Sequence, residues 1–356
     1  MSVPRKTSVR VLSAAAAAAS VGMALTACGG GDSDQGSITG EGSTAQQKAM
    51  TEFAKVLTDN DGPGLDYTGS GSGAGVKKFI SGDVDFAGSD SPLKGDEVAQ
   101  AKQRCGGNDA WHLPLVAGPV AVAFNVDGVE KLTLNAETLA LIFDSKITKW
   151  DDEKIKALNP GVTLPSTAIV PVHRSDSSGT TDNFTKFLHT AAPEQWKYEP
   201  SKEWAGQGGS AAAKSTGVGD TVKKTPGAVT YVEWGFATEN DLGIAAIDFG
   251  AGSTALTAQT AAKALDSAKF VTPGSKDLVV DSKALYGMKE AGAYPLVMTT
   301  YEIVCSTGYS DESISDSLKK AFTIILDKGQ EPIEKLGYVP LPDGFKTSLR
   351  GTVDAL

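Results

Sequence analysis

Residues 169–181 read IVPVHRSDSSGTT, and they join a short apolar run to a loop of small, polar residues. The apolar run at 169–172 predicts a buried strand. Apolar side chains three and four residues apart, at Phe184, Phe187 and Leu188, predict a helix directly after the loop. A strand that passes through a polar loop into a helix is typical of α/β proteins. This segment therefore predicts an α/β fold.

The same order of strand and helix recurs along the rest of the chain. Strand-like runs lie at 84–87, 115–124, 169–172, 229–232 and 297–304, and helical spacing lies between them, as at Met50, Phe53 and Leu57. Two long runs, 116–124 and 296–304, are each able to pass from one lobe to another. Such a pair would divide the chain into a discontinuous lobe made of both ends and a continuous middle lobe. Two low-complexity stretches, 206–219 and 251–264, are expected to be loops or solvent-facing helix.

Two further loops also resemble the start of a helix. GEGST at 40–44 precedes a helical period, and Thr44 followed by Gln47 matches a capping box. TGSGSGAG at 68–75 runs into another helix, with Ser72 at the expected cap. Each loop leaves backbone amides unpaired at the positive end of a helix dipole, and its small residues let an anion approach.

Taken together, the three loops predict an oxyanion site. Ordinary helix capping explains any one of them alone. The third loop also carries Arg174, whose planar guanidinium is suited to binding two oxygens of one anion. Three such loops with one Arg favour an anion ligand over capping alone.

Composition and motifs exclude several classes of protein. The 356 residues include 43 acidic and 33 basic side chains, and the net charge of −10 argues against nucleic acid as a partner. Three His and three Cys with no close pair do not form a zinc or haem site, so no metal is expected. P-loop and Gly-x-Ser-x-Gly motifs are absent, and the match of 69–74 to a permissive dinucleotide motif is weak in so Gly- and Ser-rich a segment. The sequence therefore predicts neither an enzyme nor a cofactor.

The first 27 residues are interpreted as a signal peptide, and Cys28 as the site of lipidation. Basic residues precede an Ala-rich apolar stretch at 11–25 that is too short to span a bilayer. LTAC at 25–28 resembles a bacterial lipobox, and ordinary cleavage after Ala27 is the alternative. Residues 28–36 then form a flexible tether. We therefore expect a protein lipid-anchored to the cell membrane on its extracytoplasmic face.

The exported chain has two cysteines besides Cys28, namely Cys105 and Cys305. Outside the cytoplasm a remaining pair is more often a disulfide than two free thiols. The alternative is two unrelated small apolar residues in the core. We expect the disulfide.

Several motifs in a fixed order carry a resemblance to a known family. They are GEGST at 40–44, YTGSGSG at 67–73, VDFAGSD at 84–90, KWDD at 149–152 with LNPG at 158–161, and RSDSSGT at 174–180. With them the chain resembles the periplasmic phosphate-binding protein of bacterial ABC phosphate importers over its whole length after the tether. The resemblance implies a two-lobed periplasmic-binding-protein fold, with two crossing hinge strands and the ligand cleft between the lobes. Lobe I is expected at 37–120 plus 294–356, and lobe II at 121–293.

The resemblance also implies the phosphate-binding groups, residue by residue. They fall on Thr44, the backbone amide of Ala45, Ser72, Asp90, Arg174, Ser178, Gly179 and Thr180. Ala45 stands where the family often has an aromatic residue, but a backbone amide does not depend on the side chain. Asp176 is expected to orient the guanidinium of Arg174, and loop capping is the alternative role for this carboxylate.

Asp90 is expected to select the ligand. An ionised Asp only accepts hydrogen bonds, so it can take the proton that hydrogen phosphate and dihydrogen phosphate carry and that sulfate lacks. The resemblance thus implies a monomer that binds inorganic phosphate without turning it over and delivers it to ABC permease subunits. The alternatives are a phosphate sensor or scavenger without transport, a protein for another tetrahedral oxyanion, and a secreted phosphatase, for which the sequence contains no activated nucleophile.

Overall fold

The computed structural model describes residues 36–356, in which strands and helices alternate. The expected signal peptide, Cys28 and all of the tether except Gly36 lie outside the described residues. The strands are β1 (Ser37–Gly42), β2 (Gly64–Gly69), β3 (Phe86–Ser89), β4 (Ala110–Phe124), β5 (Thr133–Asn135), β6 (Val170–Arg174), β7 (Ser210–Ala212), β8 (Ala228–Glu233), β9 (Gly243–Ile244), β10 (Ala246–Asp248), β11 (Ser253–Thr254) and β12 (Val297–Cys305).

The helices follow or separate these strands. They are α1 (Gln47–Asp59), α2 (Ser72–Ser81), α3 (Asp96–Arg104), α4 (Ala136–Phe143), α5 (Glu153–Leu158), α6 (Gly179–Ala191), α7 (Lys214–Lys224), α8 (Trp234–Glu239), α9 (Ala258–Asp266), α10 (Ser282–Tyr286), α11 (Glu312–Ile324), α12 (Gln330–Glu334) and α13 (Asp343–Val353). A π-helical turn, Ile325–Gly329, lies between α11 and α12. Among residues 36–356, no helix is both long and apolar enough to cross a membrane.

One large mixed sheet positions the loops that the sequence singled out. Its strand order is β2-β1-β3-β12-β4-β8-β6-β7, with β9 paired to β4. Strand β1 pairs in parallel with β2 and β3, and β6 pairs in parallel with β7 and β8. The three loops and Asp90 follow the carboxyl ends of β1, β2, β3 and β6, which is where open α/β sheets bind ligands.

Strand β4 connects two hydrophobic cores. Its first part, 110–119, pairs with β12, and its last part, 120–124, pairs with β8. The first core contains residues from 38–117 and 297–353, joined by Ala261, Leu265, Leu278 and Val280, whereas the second core contains Ala45 and residues between 120 and 298. The exact lobe boundaries expected from the resemblance stay a prediction.

A β-bulge interrupts the pairing of β4 with β12. Thr300 lies opposite Val116, but the next residue of β12, Tyr301, lies opposite Pro114, so Leu115 is the extra residue. Bulges re-aim side chains next to functional sites. Here the irregularity falls at Thr300, whose hydroxyl reaches Asp90.

The disulfide expected between Cys105 and Cys305 is present in the structure. Cys105 is the residue after α3, and Cys305 is the last residue of β12. Both are completely buried in the first core. The bond therefore ties the end of α3 to the central strand pair.

The expectation that 206–219 and 251–264 are loops or solvent-facing helix is wrong in part. Residues Ser215 and Val218 of α7, and Ala261 and Ala264 of α9, are buried. Small side chains let a helix approach its neighbours closely, so a Gly-, Ala- and Ser-rich segment can form a packed element. Composition alone therefore did not predict that these residues pack in the interior.

Candidate functional site

Asp90 lies at the centre of a cluster of hydroxyl groups. It directly follows β3, and only 3% of its surface is exposed. Ser43 Oγ donates to its two carboxylate oxygens at 2.7 and 2.8 Å, Thr300 Oγ1 donates to Oδ1 at 2.7 Å, and Ser72 Oγ donates to Oδ2 at 3.1 Å. Three segments of the chain that are separated in sequence thus hydrogen-bond to one carboxylate.

Burial controls the ionisation of Asp90. Loss of solvent raises its pKa from 3.8 to about 6, because a carboxylate anion is poorly solvated inside a protein. The hydrogen bonds from Ser43, Thr300 and Ser72 favour the anion and lower the pKa, whereas the negative charge of Glu233 raises it. Well above pH 6, Asp90 is therefore a buried anion that only accepts hydrogen bonds.

The loop after β1 contributes Thr44 and Ala45 to the same region. Both are buried, with 6% and 1% of their surfaces exposed. The backbone amide of Ala45, which was expected to bind the ligand, donates to Ser43 Oγ at 3.1 Å. Ser43 Oγ in turn donates to the carboxylate of Asp90. Thr44 Oγ1 lies 2.7 Å from Ser215 Oγ. Thr44 thus contacts the start of α7.

Two helix caps differ from those expected. The N-cap of α1 is Gln46, not Thr44, and the Gln47 side chain hydrogen-bonds to the backbone of β2 instead of closing a capping box. The N-cap of α2 is Gly71, with Ser72 as the first helical residue. Gly71 has a φ of +106°, a backbone conformation that L side chains rarely adopt. The hydroxyl of Ser72 is therefore free of capping and holds Asp90.

The buried Arg174 forms an ion pair with the partly buried Asp176. Arg174 Nε donates to Asp176 Oδ1 at 2.7 Å, and Nη2 donates to Oδ2. Burial acts to lower the pKa of Arg174, but the hydrogen bond and charge of Asp176 outweigh burial and raise it. Burial likewise acts to raise the pKa of Asp176, and Arg174 overcomes this effect and lowers it. Asp176 thus contacts one edge of the guanidinium.

The third loop meets the second loop at Gly179. A Cβ at this position would lie 2.4 Å from Ser72 Oγ and 2.5 Å from Asp90 Oδ2, so only glycine fits. Ser178 is the N-cap of α6, and its hydroxyl accepts from Thr181 N at 3.1 Å. The backbone of Gly179, the first residue of α6, therefore lies beside Asp90. The structure therefore brings the second and third loops into direct contact.

Thr180 uses its hydroxyl within the protein. Thr180 Oγ1 donates to Glu233 Oε1 at 2.7 Å, and Glu233 is buried, with 3% of its surface exposed. The other oxygen of this carboxylate, Oε2, has no hydrogen-bond partner among the described residues. Because the Thr180 hydroxyl already donates to Glu233, the group of Thr180 that is left to donate to a ligand is its backbone amide.

Sequence reasoning missed four residues of this cluster: Ser43, Ser215, Glu233 and Thr300. Ser43 stands within the GEGST motif, next to the expected Thr44. Thr300 lies inside an apolar run and Glu233 directly after one. The apolar pattern of such a run predicts a strand but does not indicate a function for single polar side chains in it. Only the sheet topology brings them to Asp90 and Thr180.

The arrangement combines donors with one acceptor in a buried site. The guanidinium of Arg174 and the first turns of α2 and α6 supply positive charge and amide donors, which stabilise an oxyanion. Asp90 supplies an acceptor in the same place. An anion without a proton can accept hydrogen bonds from Arg174 and the backbone amides, but it cannot donate to Asp90. An anion that carries a proton can do both.

Comparisons with known proteins agree with this fold. A family model described as a PBP superfamily domain matches residues 29–322. The phosphate-binding proteins PstS 3 and PstS 2 of Mycobacterium tuberculosis are 41% and 38% identical to this chain. The alignments cover 92% and 94% of this chain, and 88% and 95% of those proteins.

Solved structures show the same fold at lower identity. A high-affinity periplasmic phosphate-binding protein bound with phosphate superposes with a TM-score of 0.73 at 23% identity, and a phosphate-binding protein from Stenotrophomonas maltophilia with a TM-score of 0.68 at 20% identity. Each comparison covers 88% of this chain and 93% of the other.

The α/β fold and the buried polar cluster at the strand ends define the class, a ligand-binding protein of the PBP superfamily. The predicted fold class is therefore confirmed. Within that class, the chain belongs to the PstS family of phosphate-binding proteins. The family suggested by the sequence motifs is thus confirmed as well.

Proposed function

We propose that this protein binds inorganic phosphate and delivers it to the permease of an ABC importer. Its membership of the PstS family supports the ligand and the transport role. The ligand groups in this proposal are Thr44, the amide of Ala45, Ser72, Asp90, Arg174, Ser178, Gly179 and Thr180. All of them are buried in the one cluster described above.

The surroundings of Asp90 carry the proposal. A carboxylate at the centre of an anion site repels every anion by charge, so its presence needs a compensating contact. Hydrogen phosphate and dihydrogen phosphate donate a proton to Asp90, whereas sulfate faces it with an acceptor only. In a buried site, two opposed acceptors cost the free energy of an unmade hydrogen bond in addition to charge repulsion. Phosphate is therefore bound and sulfate rejected.

The ligand enters between two lobes that close over it. Lobe I comprises 37–120 and 294–356, and lobe II comprises 121–293. Contacts between these segments support closure: Gly73 N donates to the backbone oxygen of Ser177 at 3.1 Å, and Lys94 pairs with the buried Asp182 at 2.6 Å. The hinge segments are β4 and β12, which pair over nine residues of β12.

The protein works outside the cytoplasmic membrane as a lipid-anchored monomer. The apolar leader and the LTAC motif ending at Cys28 support export and acylation. Cys28→Ala should move the protein from the membrane fraction to the medium while purified protein keeps its phosphate affinity. Equal retention of the variant in membranes would refute the lipid anchor.

Isothermal titration with phosphate, arsenate and sulfate at pH 8 tests the function. Phosphate and arsenate both carry a proton at this pH, so both should bind with one site per chain. Sulfate should give no heat of binding. Absence of phosphate binding by the folded protein, or equal affinity for sulfate, would overturn the proposal.

A further inference from the structure

Ser215 lies between two of the proposed ligand groups. It is the second residue of α7, and only 1% of its surface is exposed. Its Oγ lies 2.7 Å from Thr44 Oγ1 and accepts a hydrogen bond from Arg174 Nη1 at 3.5 Å. Its backbone amide also donates to Thr44 Oγ1, at 3.3 Å. Ser215 therefore contacts Thr44 through both its side chain and its backbone.

The backbone before Ser215 is held in place by the same carboxylate that orients Arg174. Lys214 has a φ of +65°, in the left-handed region, which turns the chain sharply into α7. Its amide donates to Asp176 Oδ1 at 2.9 Å, and its Nζ donates to the backbone oxygen of Gly69 at 2.8 Å. Asp176 thus fixes both the guanidinium and the turn that presents Ser215.

The hydrogen bond between Arg174 and Ser215 has a fixed direction. A guanidinium has donors and no acceptor, so Ser215 Oγ accepts from Arg174. Either hydroxyl can donate in the 2.7 Å contact between Ser215 and Thr44. When Ser215 is the donor, Thr44 Oγ1 accepts from both the hydroxyl and the amide of Ser215, which occupies both of its lone pairs. Only the proton of the Thr44 hydroxyl is left to make a further bond.

We propose that Ser215 is a positioning residue that directs the hydroxyl proton of Thr44 toward the bound oxyanion. This inference rests on the proposed function, because it assigns Thr44 to the phosphate site. Without Ser215, the Thr44 hydroxyl rotates among several partners and must be reoriented each time phosphate binds. The hydrogen bonds that run from Arg174 through Ser215 to Thr44 fix the orientation of the Thr44 hydroxyl before phosphate binds. The entropic cost of reorienting this hydroxyl on binding is therefore avoided, as in other preorganised sites.

A double-mutant cycle tests the inference. Ser215→Ala, Thr44→Val, the double variant and the control Thr216→Ala, which removes an exposed hydroxyl from the same helical turn, are titrated with inorganic phosphate by calorimetry. Ser215→Ala should weaken phosphate binding roughly three- to tenfold, the effect of one neutral hydrogen bond. In the Thr44→Val background the same change should weaken binding by less than about twofold. Thr216→Ala should bind as the parent does.

Each other outcome has a defined meaning. Equal losses from Ser215→Ala with and without the Thr44 hydroxyl would show that Ser215 acts on phosphate directly, which overturns the inference. Unchanged affinity of Ser215→Ala would overturn it as well. A parent protein that fails to bind phosphate refutes the proposed function instead. Thermal unfolding without phosphate checks that the variants are folded, and Ser215→Gly replaces the Ala variant if that one does not fold.

Discussion

Replacing Asp90 with Asn tests the origin of phosphate selectivity most directly. Asp90→Asn keeps the shape of the side chain and exchanges one acceptor oxygen for an amide donor. The hydroxyls of Ser43 and Ser72 beside it can accept as well as donate, so the cluster can rearrange around the new NH2 group. We expect a folded variant in which sulfate no longer meets two opposed acceptors.

The size of both effects follows from the structure. Relief of one acceptor conflict in a buried site is worth about 1–3 kcal/mol, so sulfate should gain about 5- to 150-fold in affinity relative to phosphate. The rise of the Asp90 pKa from 3.8 to about 6 corresponds to about 3 kcal/mol. A raised carboxyl pKa in the folded state means that stability is lost as pH rises through 6. Without ligand, the Asn variant should therefore exceed the parent in stability by about 3 kcal/mol at pH 8, and by less as pH falls toward 4.

Two measurements check these effects. Calorimetric titration with phosphate and with sulfate gives the ratio of affinities, and urea unfolding at pH 8, 6 and 4.5 gives the free energy of unfolding. Asp66→Asn, which removes one negative charge from the exposed face of β2, is the control and should change neither quantity. If Asp90→Asn binds phosphate and still excludes sulfate as the parent does, the acceptor argument is wrong.

Three further changes test the rest of the cluster. Arg174→Lys keeps the charge but loses the fork that Asp176 holds, so phosphate affinity measured by calorimetry should fall about 10- to 100-fold; an unchanged affinity would remove Arg174 from the site. Gly179→Ala places a methyl group against Ser72 and Asp90, so phosphate binding should be lost while circular dichroism stays that of the parent; full binding would contradict the close contact. Reduction of the disulfide between Cys105 and Cys305 should lower the melting temperature by removing several kcal/mol, with phosphate affinity within about twofold; labelling of both thiols in unfolded, unreduced protein would disprove the bond in solution.

Local patterns were sufficient for the fold class and for the main loops. The apolar runs at 84–87, 169–172 and 229–232 became β3, β6 and β8 with shifts of at most two residues at either end. These strands are short and largely buried, so apolar side chains dominate them and are easily seen. The polar loop after the run at 169–172 indicated Arg174, whereas Asp90 was implied by the resemblance to the family.

Contacts between distant segments were beyond such patterns. Thr300 is one hydroxyl within β12, beside the bulge at Leu115, and it reaches Asp90 only when β12 lies next to β3. Ser215 lies in a Gly-, Ala- and Lys-rich stretch whose composition is typical of a surface loop. Its role depends on the left-handed turn before it, which no propensity indicates at a Lys.

The position of Thr300 also orders events during synthesis and refolding. Asp90 receives hydroxyls from residues near positions 43 and 72, but its third donor is separated from it by 210 residues. The polypeptide must therefore reach β12, and dock that strand between β3 and β4, before the carboxylate has all its partners. Phosphate binding is then expected only after β12 has docked, so a nascent or truncated chain that ends before β12 should fail to bind phosphate.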